Sequence, residues 1–218
     1  MTVRLAVFDC DGTLSDGQAA VVNAMTAAFT ESGLPAPDTH AVRRIVGLSL
    51  PQAIRQLAPD LAADQLAATV DAYKQSFFAA RQAGNVREPL FDGMHDLLHR
   101  LHGKGWALGV ATGKSDRGLT STLTMHGLTE IFATTHTADR HPSKPHPAML
   151  EAAMADVLAR PEDTVMVGDT VFDIDMACAA GVRAIGVDWG YHEADELLAA
   201  GALGVARTMQ ELEELIHG

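Results

Sequence analysis

Short apolar runs alternate with amphipathic stretches along most of the chain. The apolar runs have the length and composition of buried strands, and the predicted strands are Leu5–Phe8, Ala107–Ala111, Ile131–Thr134, Thr164–Val167, Arg183–Val187 and Gly204–Ala206. Apolar residues at i, i+3 and i+4 spacing predict helices at Met94–His102, Asp116–Met125, Pro147–Leu158, Phe172–Ala180, Ala194–Ala199 and Met209–Ile216. This alternation predicts an α/β fold with a Rossmann-like, doubly wound parallel sheet.

Residues 17–89 interrupt the alternation, because this stretch contains only helical patterns. The predicted helices are Ala19–Glu31, Thr39–Val46, Leu50–Gln56 and Ala62–Gln82, with glycine and proline between them. The stretch is too long and too apolar for a loop. We therefore expect a core domain of residues 1–16 and 90–218, with residues 17–89 inserted as a helical subdomain.

Composition and charge narrow the possible partners. The 218 residues are 47% hydrophobic, which suffices for a buried core, and the formal net charge of −12 argues against nucleic acid or an anionic membrane. No apolar stretch has the length of a membrane span. We expect a cytoplasmic monomer or homodimer with a small-molecule partner. Cys10 and Cys178 are interpreted as reduced thiols in the core.

Polar clusters follow several of the predicted strands. "DCDGT" follows the first strand, "ATGKS" the second and "VGDTVFDID" the fourth, while "SKPHP" precedes a helix. Each cluster alone has a structural explanation, such as a turn or a helix N-terminus. Together they fall where parallel sheets bind ligands, beyond the carboxyl ends of the strands. Asp9 and Asp11 would repel one another there unless a positive group or a shared task keeps them close.

In this order the clusters resemble the four motifs of the haloacid dehalogenase superfamily, in its phosphatase branch with a helical cap. The resemblance covers essentially the whole chain, and the DxDGT motif with the later Asp16 carries it most specifically. The stretch "DWGYHEADEL" is similar to phosphoglycolate phosphatases. The resemblance implies a Mg²⁺-dependent hydrolase of a small phosphorylated metabolite, with an aspartyl-phosphate intermediate and residues 17–89 as the cap.

The resemblance also implies roles for individual acids. Asp9 is expected to be the nucleophile, and Asp11 the general acid and base. Asp9 and Asp169 are the expected carboxylate ligands of Mg²⁺, with the backbone carbonyl of Asp11 as a third ligand. Asp173 is expected to hold a metal-bound water or to orient Lys144.

The transferred phosphoryl group needs hydrogen-bond donors as well. By the same resemblance these are the Thr112 hydroxyl, the Gly113 amide and Lys144. Asp175 lies only two residues after Asp173 on a predicted helix, so we expect it to point elsewhere and to be structural or exposed.

Specificity is expected to come from the cap, since the core motifs are occupied with phosphate and metal. We expect the turn Gly47–Pro51 to face the core, and Gly47 is a candidate specificity residue. Arg43 or Arg44 is a candidate for contacting an anionic part of the substrate. The alternative, that both arginines are surface charges, stays open at this point.

Several other polar residues are interpreted as structural. Lys114 is expected at the surface, and His136, His141 and His146 in exposed loops, because their spacing does not match a zinc site. Trp189 and Tyr191 either border the site or pack under a loop.

Three other functions are compatible with parts of the pattern. A phosphomutase of the β-phosphoglucomutase type would share the core and the acid pair. A phosphoaspartate receiver would be non-enzymatic, but the inserted helices argue against it. A phosphonoacetaldehyde hydrolase needs a cap lysine for a Schiff base, and the only cap lysine, Lys74, lies outside the turn Gly47–Pro51.

Overall fold

A six-stranded parallel sheet forms the centre of the computed structural model, which describes residues 2–218. Its strands are β1 (Arg4–Phe8), β2 (Trp106–Thr112), β3 (Thr134–Thr137), β4 (Thr164–Gly168), β5 (Arg183–Val187) and β6 (Val205–Ala206). The spatial order is β3-β2-β1-β4-β5-β6, and every neighbouring pair is parallel. The predicted α/β class is confirmed, and the crossovers change direction at β1, where a ligand crevice is expected.

The third strand begins three residues later than the sequence predicted. Ile131 and Phe132 are buried in an apolar cluster instead of pairing in the sheet, and Ala133 donates its N–H to Leu108 just before β3 starts. An apolar run can pack as a loop as well as a strand, so hydrophobicity alone placed this boundary wrongly.

Residues 17–89, all of which the structure describes, form four helices. They are α1 (Gln18–Glu31), α2 (Thr39–Arg44), α3 (Leu50–Leu57) and α4 (Ala63–Gln82). The Asp38 side chain accepts the N–H of Ala41 at 2.9 Å and so caps α2. Apolar faces of these helices bury a cluster that includes Met25, Val42 and Ile54. This segment therefore has its own small core.

Six helices cover the two faces of the sheet. They are α5 (Met94–Gly103), α6 (Asp116–Met125), α7 (Ala148–Val157), α8 (Val171–Ala179), α9 (Ala194–Ala200) and α10 (Met209–His217). Alternate residues of β1 serve opposite faces, so Ala6 and Phe8 pack towards α5, α6 and α10, while Leu5 and Val7 pack towards α7, α8 and α9. Within residues 2–218, no helix combines the length and apolarity needed to cross a membrane.

The helical segment joins the sheet through two connections that run side by side. Asp16 donates its N–H to the Pro89 carbonyl at 2.9 Å, and Phe91 donates to the Leu14 carbonyl at 3.1 Å. These hydrogen bonds tie the start and the end of the helical segment to one point beyond β1. The segment is thereby positioned over the carboxyl edge of the sheet.

The two cysteines have different environments. Cys10 is fully buried directly after β1, as predicted, but Cys178 is exposed on α8. The interpretation of Cys178 as a core thiol is therefore wrong. Its helix buries the neighbouring Met176 and Ala177 instead, and the thiol lies on the solvent side of that stripe.

Candidate active site

The three adjacent strands β2, β1 and β4 bring polar residues to one edge of the sheet. Asp9 follows β1, Thr112 ends β2 and Asp169 follows β4, and each is at most 1% exposed. Asp9 donates its backbone N–H to the Val167 carbonyl at 2.9 Å, which extends the β1–β4 pairing past the end of the strand. The sheet itself thus fixes the backbone from which the Asp9 side chain projects.

Asp9, Asp169 and Asp173 form a buried acidic cluster. One carboxylate oxygen of each lies within 4.8 Å of the other two. Asp169 accepts the Thr13 hydroxyl at 2.7 Å on one oxygen and the Tyr191 N–H at 3.0 Å on the other. These two bonds hold the Asp169 carboxylate in its place in the cluster.

The first turn of α8 fixes the position of Asp173. Its Oδ2 accepts the hydroxyl of Thr170 at 2.7 Å and the N–H of the same residue at 3.1 Å, which together make a capping arrangement. The N-terminus of a helix favours a negative charge. The other oxygen, Oδ1, remains directed at the acidic cluster.

Lys144 is the cation of this cluster and is fully buried. Its Nζ lies 2.8 Å from Oδ1 of Asp9 and 2.6 Å from Oδ1 of Asp173. Burial acts to lower the pKa of Lys144, but the two carboxylates outweigh it and hold the pKa above its ordinary value. Lys144 therefore stays protonated, and Asp173 helps to orient it.

One lysine does not balance three carboxylates. Burial raises the pKa of Asp9 to about 6, although Lys144 opposes this effect. Burial and the nearby charge of Asp9 raise the pKa of Asp169 well above its ordinary value. Oδ2 of Asp9 is buried and has no hydrogen-bond partner among residues 2–218. A cluster of carboxylate oxygens with such an excess of negative charge fits a hard divalent cation such as Mg²⁺.

Two glycines permit the close approach around Asp169. A Cβ on Gly12 would lie 2.2 Å from Oδ2 of Asp169, and a Cβ on Gly190 would lie 2.2 Å from Cβ of the same residue. Gly12 also has a φ of 89°, which residues with side chains rarely adopt. The glycine of the DxDGT motif is therefore required by the geometry of the acidic cluster.

The Asp11 side chain faces away from this cluster and pairs with Lys114. Nζ of Lys114 lies 2.9 Å from Oδ1 of Asp11. Burial raises the pKa of Asp11, and Lys114 acts in the opposite direction. A raised pKa suits a carboxyl group that must carry a proton near neutral pH. A metal role for Asp11 would fall to its backbone carbonyl.

Lys114 is not a surface residue, so that interpretation is wrong. Its side chain is 8% exposed, and its Nζ lies 2.8 Å from Oε1 of the buried Glu88 as well as near Asp11. Glu88 also accepts NH2 of Arg81 at 2.6 Å. Burial acts to raise the pKa of Glu88, but Lys114 and Arg81 outweigh it and lower this pKa.

This ion-pair network links three parts of the chain that are distant in sequence. Arg81 lies in the last turn of α4 in the helical segment, Glu88 lies on the connection back to the sheet, and Lys114 follows β2. The available sequence signal was the position of Lys114 two residues beyond a strand end, at the edge that also carries Asp11. Glu88 gave no signal, because a lone acid in a connecting segment is usually solvated.

The turn Gly47–Pro51 lies against the core. A Cβ on Gly113 would be 2.6 Å from the Gly47 carbonyl oxygen and 2.5 Å from the Leu48 carbonyl oxygen. Ser49 donates its N–H to the hydroxyl of Ser143 at 2.7 Å. The turn thus covers the loop that carries Thr112 and Gly113.

The structure does not bring Arg43 or Arg44 to the site. Both guanidinium nitrogens of Arg44 bond to the Glu196 carboxylate of α9, at 2.7 and 2.8 Å, and the Arg43 guanidinium lies beside the amide of Gln18. Neither arginine is among the described residues that line the cavity over Asp9. Arg44 therefore forms a bidentate ion pair with a carboxylate of the core, and the sequence could not reveal this contact.

A cavity of about 710 Å³ separates the helical segment from the edge of the sheet. Asp9, Asp11, Thr112 and Gly113 line it from the core, and Lys74 lines it from α4. Lys144, Asp169 and Asp173 are fully buried beside Asp9 and are not among the described residues that line the cavity. Asp9 is therefore the one member of the acidic cluster that lines this cavity among the described residues.

Other polar residues lie outside the cavity. His136 is buried on β3, and its ring contacts His141 at 2.9 Å and Asp156 at 3.1 Å, so its interpretation as an exposed loop histidine is wrong. His146 is exposed, as expected. Tyr191 packs with the apolar cluster of the helical segment, and Asp175 is exposed on α8.

Comparisons with known proteins agree with this arrangement. A family model described as haloacid dehalogenase-like hydrolase matches residues 6–187. Over 98% of its length the chain is 37% identical to the probable phosphatase IndB of Dickeya dadantii, of which it covers 93%. It is 32% identical to the tyrosine-protein kinase PtkA of Mycobacterium tuberculosis, and this match covers 98% of the chain and 72% of that protein. It is 28% identical to a phosphoglycolate phosphatase of Vibrio parahaemolyticus, and this match covers 98% of the chain and 96% of that protein. A solved structure of a haloacid dehalogenase-like family hydrolase from Streptococcus pneumoniae has a TM-score of 0.83 at 26% identity, with 98% of both chains covered.

Proposed function

Because this chain belongs to the haloacid dehalogenase-like hydrolase family, we propose that it is a Mg²⁺-dependent phosphatase of a phosphorylated metabolite. One observation carries the proposal. Asp9 is buried in an acidic cluster with Lys144, yet it lines the same cavity as Asp11, Thr112 and Gly113. A nucleophile, an acid and donors for phosphoryl oxygens thus meet at one point.

The metal would be held by Asp9, Asp169 and the backbone carbonyl of Asp11, with Asp173 close by. When bound, Mg²⁺ would offset the negative charge of the carboxylates and of the phosphate ester. The orphaned Oδ2 of Asp9 and the excess negative charge of the cluster support this assignment.

The side chains of this protein supply the remaining chemistry. A carboxylate oxygen of Asp9 attacks phosphorus while the bond to the leaving oxygen breaks, and Asp11 gives its proton to that oxygen. The Thr112 hydroxyl and the Gly113 amide, which line the cavity, bind the phosphoryl oxygens, and the buried ammonium group of Lys144 beside Asp9 offsets the negative charge there. Asp11 then takes a proton from the water that attacks the aspartyl phosphate, which releases inorganic phosphate and restores Asp9.

Residues 17–89 act as a cap in this proposal, and residues 1–16 and 90–218 form the catalytic core. The contact of the turn Gly47–Pro51 with the loop after β2 supports this division. A closed cap excludes bulk water during phosphoryl transfer. A cytoplasmic location, where Cys10 and Cys178 stay reduced, completes the proposal.

Metal removal should abolish turnover. We expect no phosphate release in EDTA, full recovery with excess Mg²⁺ and no recovery with Ca²⁺, which takes more ligands at longer distances. Mg²⁺ should also raise the Tm of the metal-free protein, because it binds only the folded state. A phosphate-release assay over a panel of phosphate monoesters, with calorimetry in parallel, measures both. Undiminished turnover in EDTA would contradict the metal assignment.

The same assay separates the proposal from the phosphoryl-transfer alternatives. A phosphomutase returns the phosphoryl group to a sugar, so little inorganic phosphate accumulates. Transfer to a protein hydroxyl, the activity named for the Mycobacterium relative, would also release none. Accumulation of phosphate in proportion to substrate consumed is the result that the proposal requires.

Glu88 should tune the acid Asp11 through Lys114. Burial raises the pKa of Asp11, and the charge of Glu88 adds to this effect. Glu88→Gln removes that charge, so the pKa of Asp11 should fall and less of it should be protonated at neutral pH. We expect kcat/KM for an alkyl phosphate to drop about tenfold at pH 7.5, and the basic limb of the pH profile to move to lower pH.

A matched control for this variant lies on the surface. The Glu213 carboxylate also accepts hydrogen bonds from two cations, Arg100 at 2.8 Å and Lys104 at 2.7 Å, but it is remote from the site. Glu213→Gln should leave the pH profile unchanged. If Glu88→Gln also left the basic limb in place, Glu88 would have only a structural role.

A further inference from the structure

The cavity over Asp9 is larger and more apolar than a small acidic substrate requires. Its volume of about 710 Å³ lies within the range of pockets that take drug-sized ligands. The cap side of the cavity is lined mainly by apolar and aromatic side chains, among them Met25, Leu48, Tyr73, Phe77 and Phe78. A two-carbon acid such as phosphoglycolate would leave most of this surface without contacts.

Aromatic side chains reach close to the proposed acid. The rings of Tyr73 and Phe77 stack with centroids 5.9 Å apart. Nζ of Lys114 lies 6.0 Å from the Phe77 centroid and 2.9 Å from Oδ1 of Asp11. Asp11 and the Phe77 ring therefore lie near the same ammonium group, so a leaving group that receives the proton of Asp11 has the Phe77 ring on its side of the cavity.

The cations near Asp11 are already paired. Lys114 lies between Asp11 and Glu88, and Arg81 bonds to Glu88 and lies over the Phe77 ring. Neither can take the carboxylate of a small acidic substrate without giving up a buried ion pair, which is costly. The other cavity cations, Lys74 and Arg117, are exposed, and Arg117 stacks on the outer Phe78 ring.

We propose that the preferred substrates are monophosphates of alcohols with an apolar body at least as large as one aromatic ring. The phosphoryl group binds at Asp9, and the apolar body packs against Tyr73 and Phe77. This inference rests on the proposed phosphatase function and replaces the phosphoglycolate-like substrate suggested by the sequence with a larger, apolar one.

The test compares primary alkyl phosphates, whose leaving alcohols have similar intrinsic reactivity. The series is ethyl phosphate, phosphoglycolate, 2-phenylethyl phosphate and 2-(1-naphthyl)ethyl phosphate, each assayed for phosphate release with Mg²⁺. We expect kcat/KM for 2-phenylethyl phosphate to exceed that for ethyl phosphate and phosphoglycolate by about 30- to 100-fold, because a ring buries on the order of 100 Å² of apolar surface.

Variants of α4 locate the effect. Phe77→Ala should lower kcat/KM for 2-phenylethyl phosphate about tenfold more than kcat/KM for ethyl phosphate, and Phe77→Leu should retain most of the preference. Leu66→Ala is the matched control, because Leu66 lies on the same helix and packs in the apolar cluster of the cap but not in the cavity. It should leave the preference intact.

The outcomes separate this inference from the function on which it rests. Equal kcat/KM across the series, or phosphoglycolate as the best substrate, would overturn the inference and leave the phosphatase proposal in place. An equal loss of kcat/KM for ethyl phosphate and 2-phenylethyl phosphate in a folded Phe77→Ala variant would also overturn it, since Phe77 would then serve the chemistry and not the leaving group. No phosphate from any compound would contradict the phosphatase function itself.

Discussion

Asp9→Asn is expected to abolish phosphate release while leaving the protein folded. The amide is a poor nucleophile, so no aspartyl phosphate can form. Its oxygen can still lie against the Lys144 ammonium, which is 2.8 Å from Oδ1 in the wild type, and its NH₂ would occupy the place of the orphaned Oδ2. We expect activity to fall to the detection limit, at least about 10⁴-fold, by phosphate-release assay.

The same variant should be more stable than the wild type when metal is absent. Burial raises the pKa of Asp9 from 3.8 to about 6 in the folded protein, so folding disfavours its charged form above pH 6. The cost is about 3 kcal/mol at neutral pH, which Asn does not incur. In EDTA at pH 7.5 we expect a Tm higher by roughly 6–12 °C, since each kcal/mol moves the Tm of a domain of this size by about 2–4 °C.

The sign of this effect can be checked against pH. As pH falls through 6, the wild-type Asp9 takes up a proton, so the difference in Tm between the two proteins should shrink, and it should vanish below the ordinary pKa of 3.8. Asp175→Asn is the control, because Asp175 is exposed on α8 and should change neither activity nor Tm. A Tm for Asp9→Asn below that of the wild type in EDTA would contradict the electrostatic account of the acidic cluster.

The effect of Asp11→Asn on activity should depend on the leaving group of the substrate. Alkyl phosphates need a proton on the departing oxygen, so their kcat/KM should fall by about 10²–10⁴-fold. 4-Nitrophenyl phosphate does not need that proton, so the phosphorylation of Asp9 should remain fast. Hydrolysis of the phosphoenzyme should be slow in either case, because no base remains to activate water.

Rapid-mixing kinetics with 4-nitrophenyl phosphate reads out this difference. We expect a burst of about one nitrophenolate per active site, followed by slow turnover. The fold should survive the substitution, since Lys114 keeps its 2.8 Å pair with Glu88. An equal loss with both substrate types and no burst would assign Asp11 to positioning and not to proton transfer.

The core of the fold could be predicted from the sequence because its signals are local. Three apolar runs are followed by an acid or by a Thr-Gly pair, which placed Asp9, Thr112 and Asp169 at strand ends. Parallel pairing of the strands then had to bring these residues to one edge of the sheet. The spacing of Asp169 and Asp173 likewise follows from the start of a helix. Such inferences need only the order of the elements along the chain.

The surroundings of Asp11 could not be predicted in this way, because they depend on contacts across the chain. Lys114 is buried because Glu88 and Asp11 pair with it, and Glu88 comes from the connection that follows α4. Arg44 was a candidate for substrate binding, yet Glu196 on α9 occupies it. In each case a partner far away in sequence decides whether a charged side chain faces solvent, the cavity or another ion.

Reductive trapping of the phosphoenzyme tests most directly the central claim that Asp9 is phosphorylated during turnover. The Asp11→Asn variant is mixed with 4-nitrophenyl phosphate and Mg²⁺, quenched with borohydride during the burst, digested and analysed by mass spectrometry. Borohydride converts an aspartyl phosphate to homoserine, so we expect homoserine at position 9 and unmodified aspartate at positions 169, 173 and 175. Homoserine at another of these positions, or a full burst with none at position 9, would contradict the account.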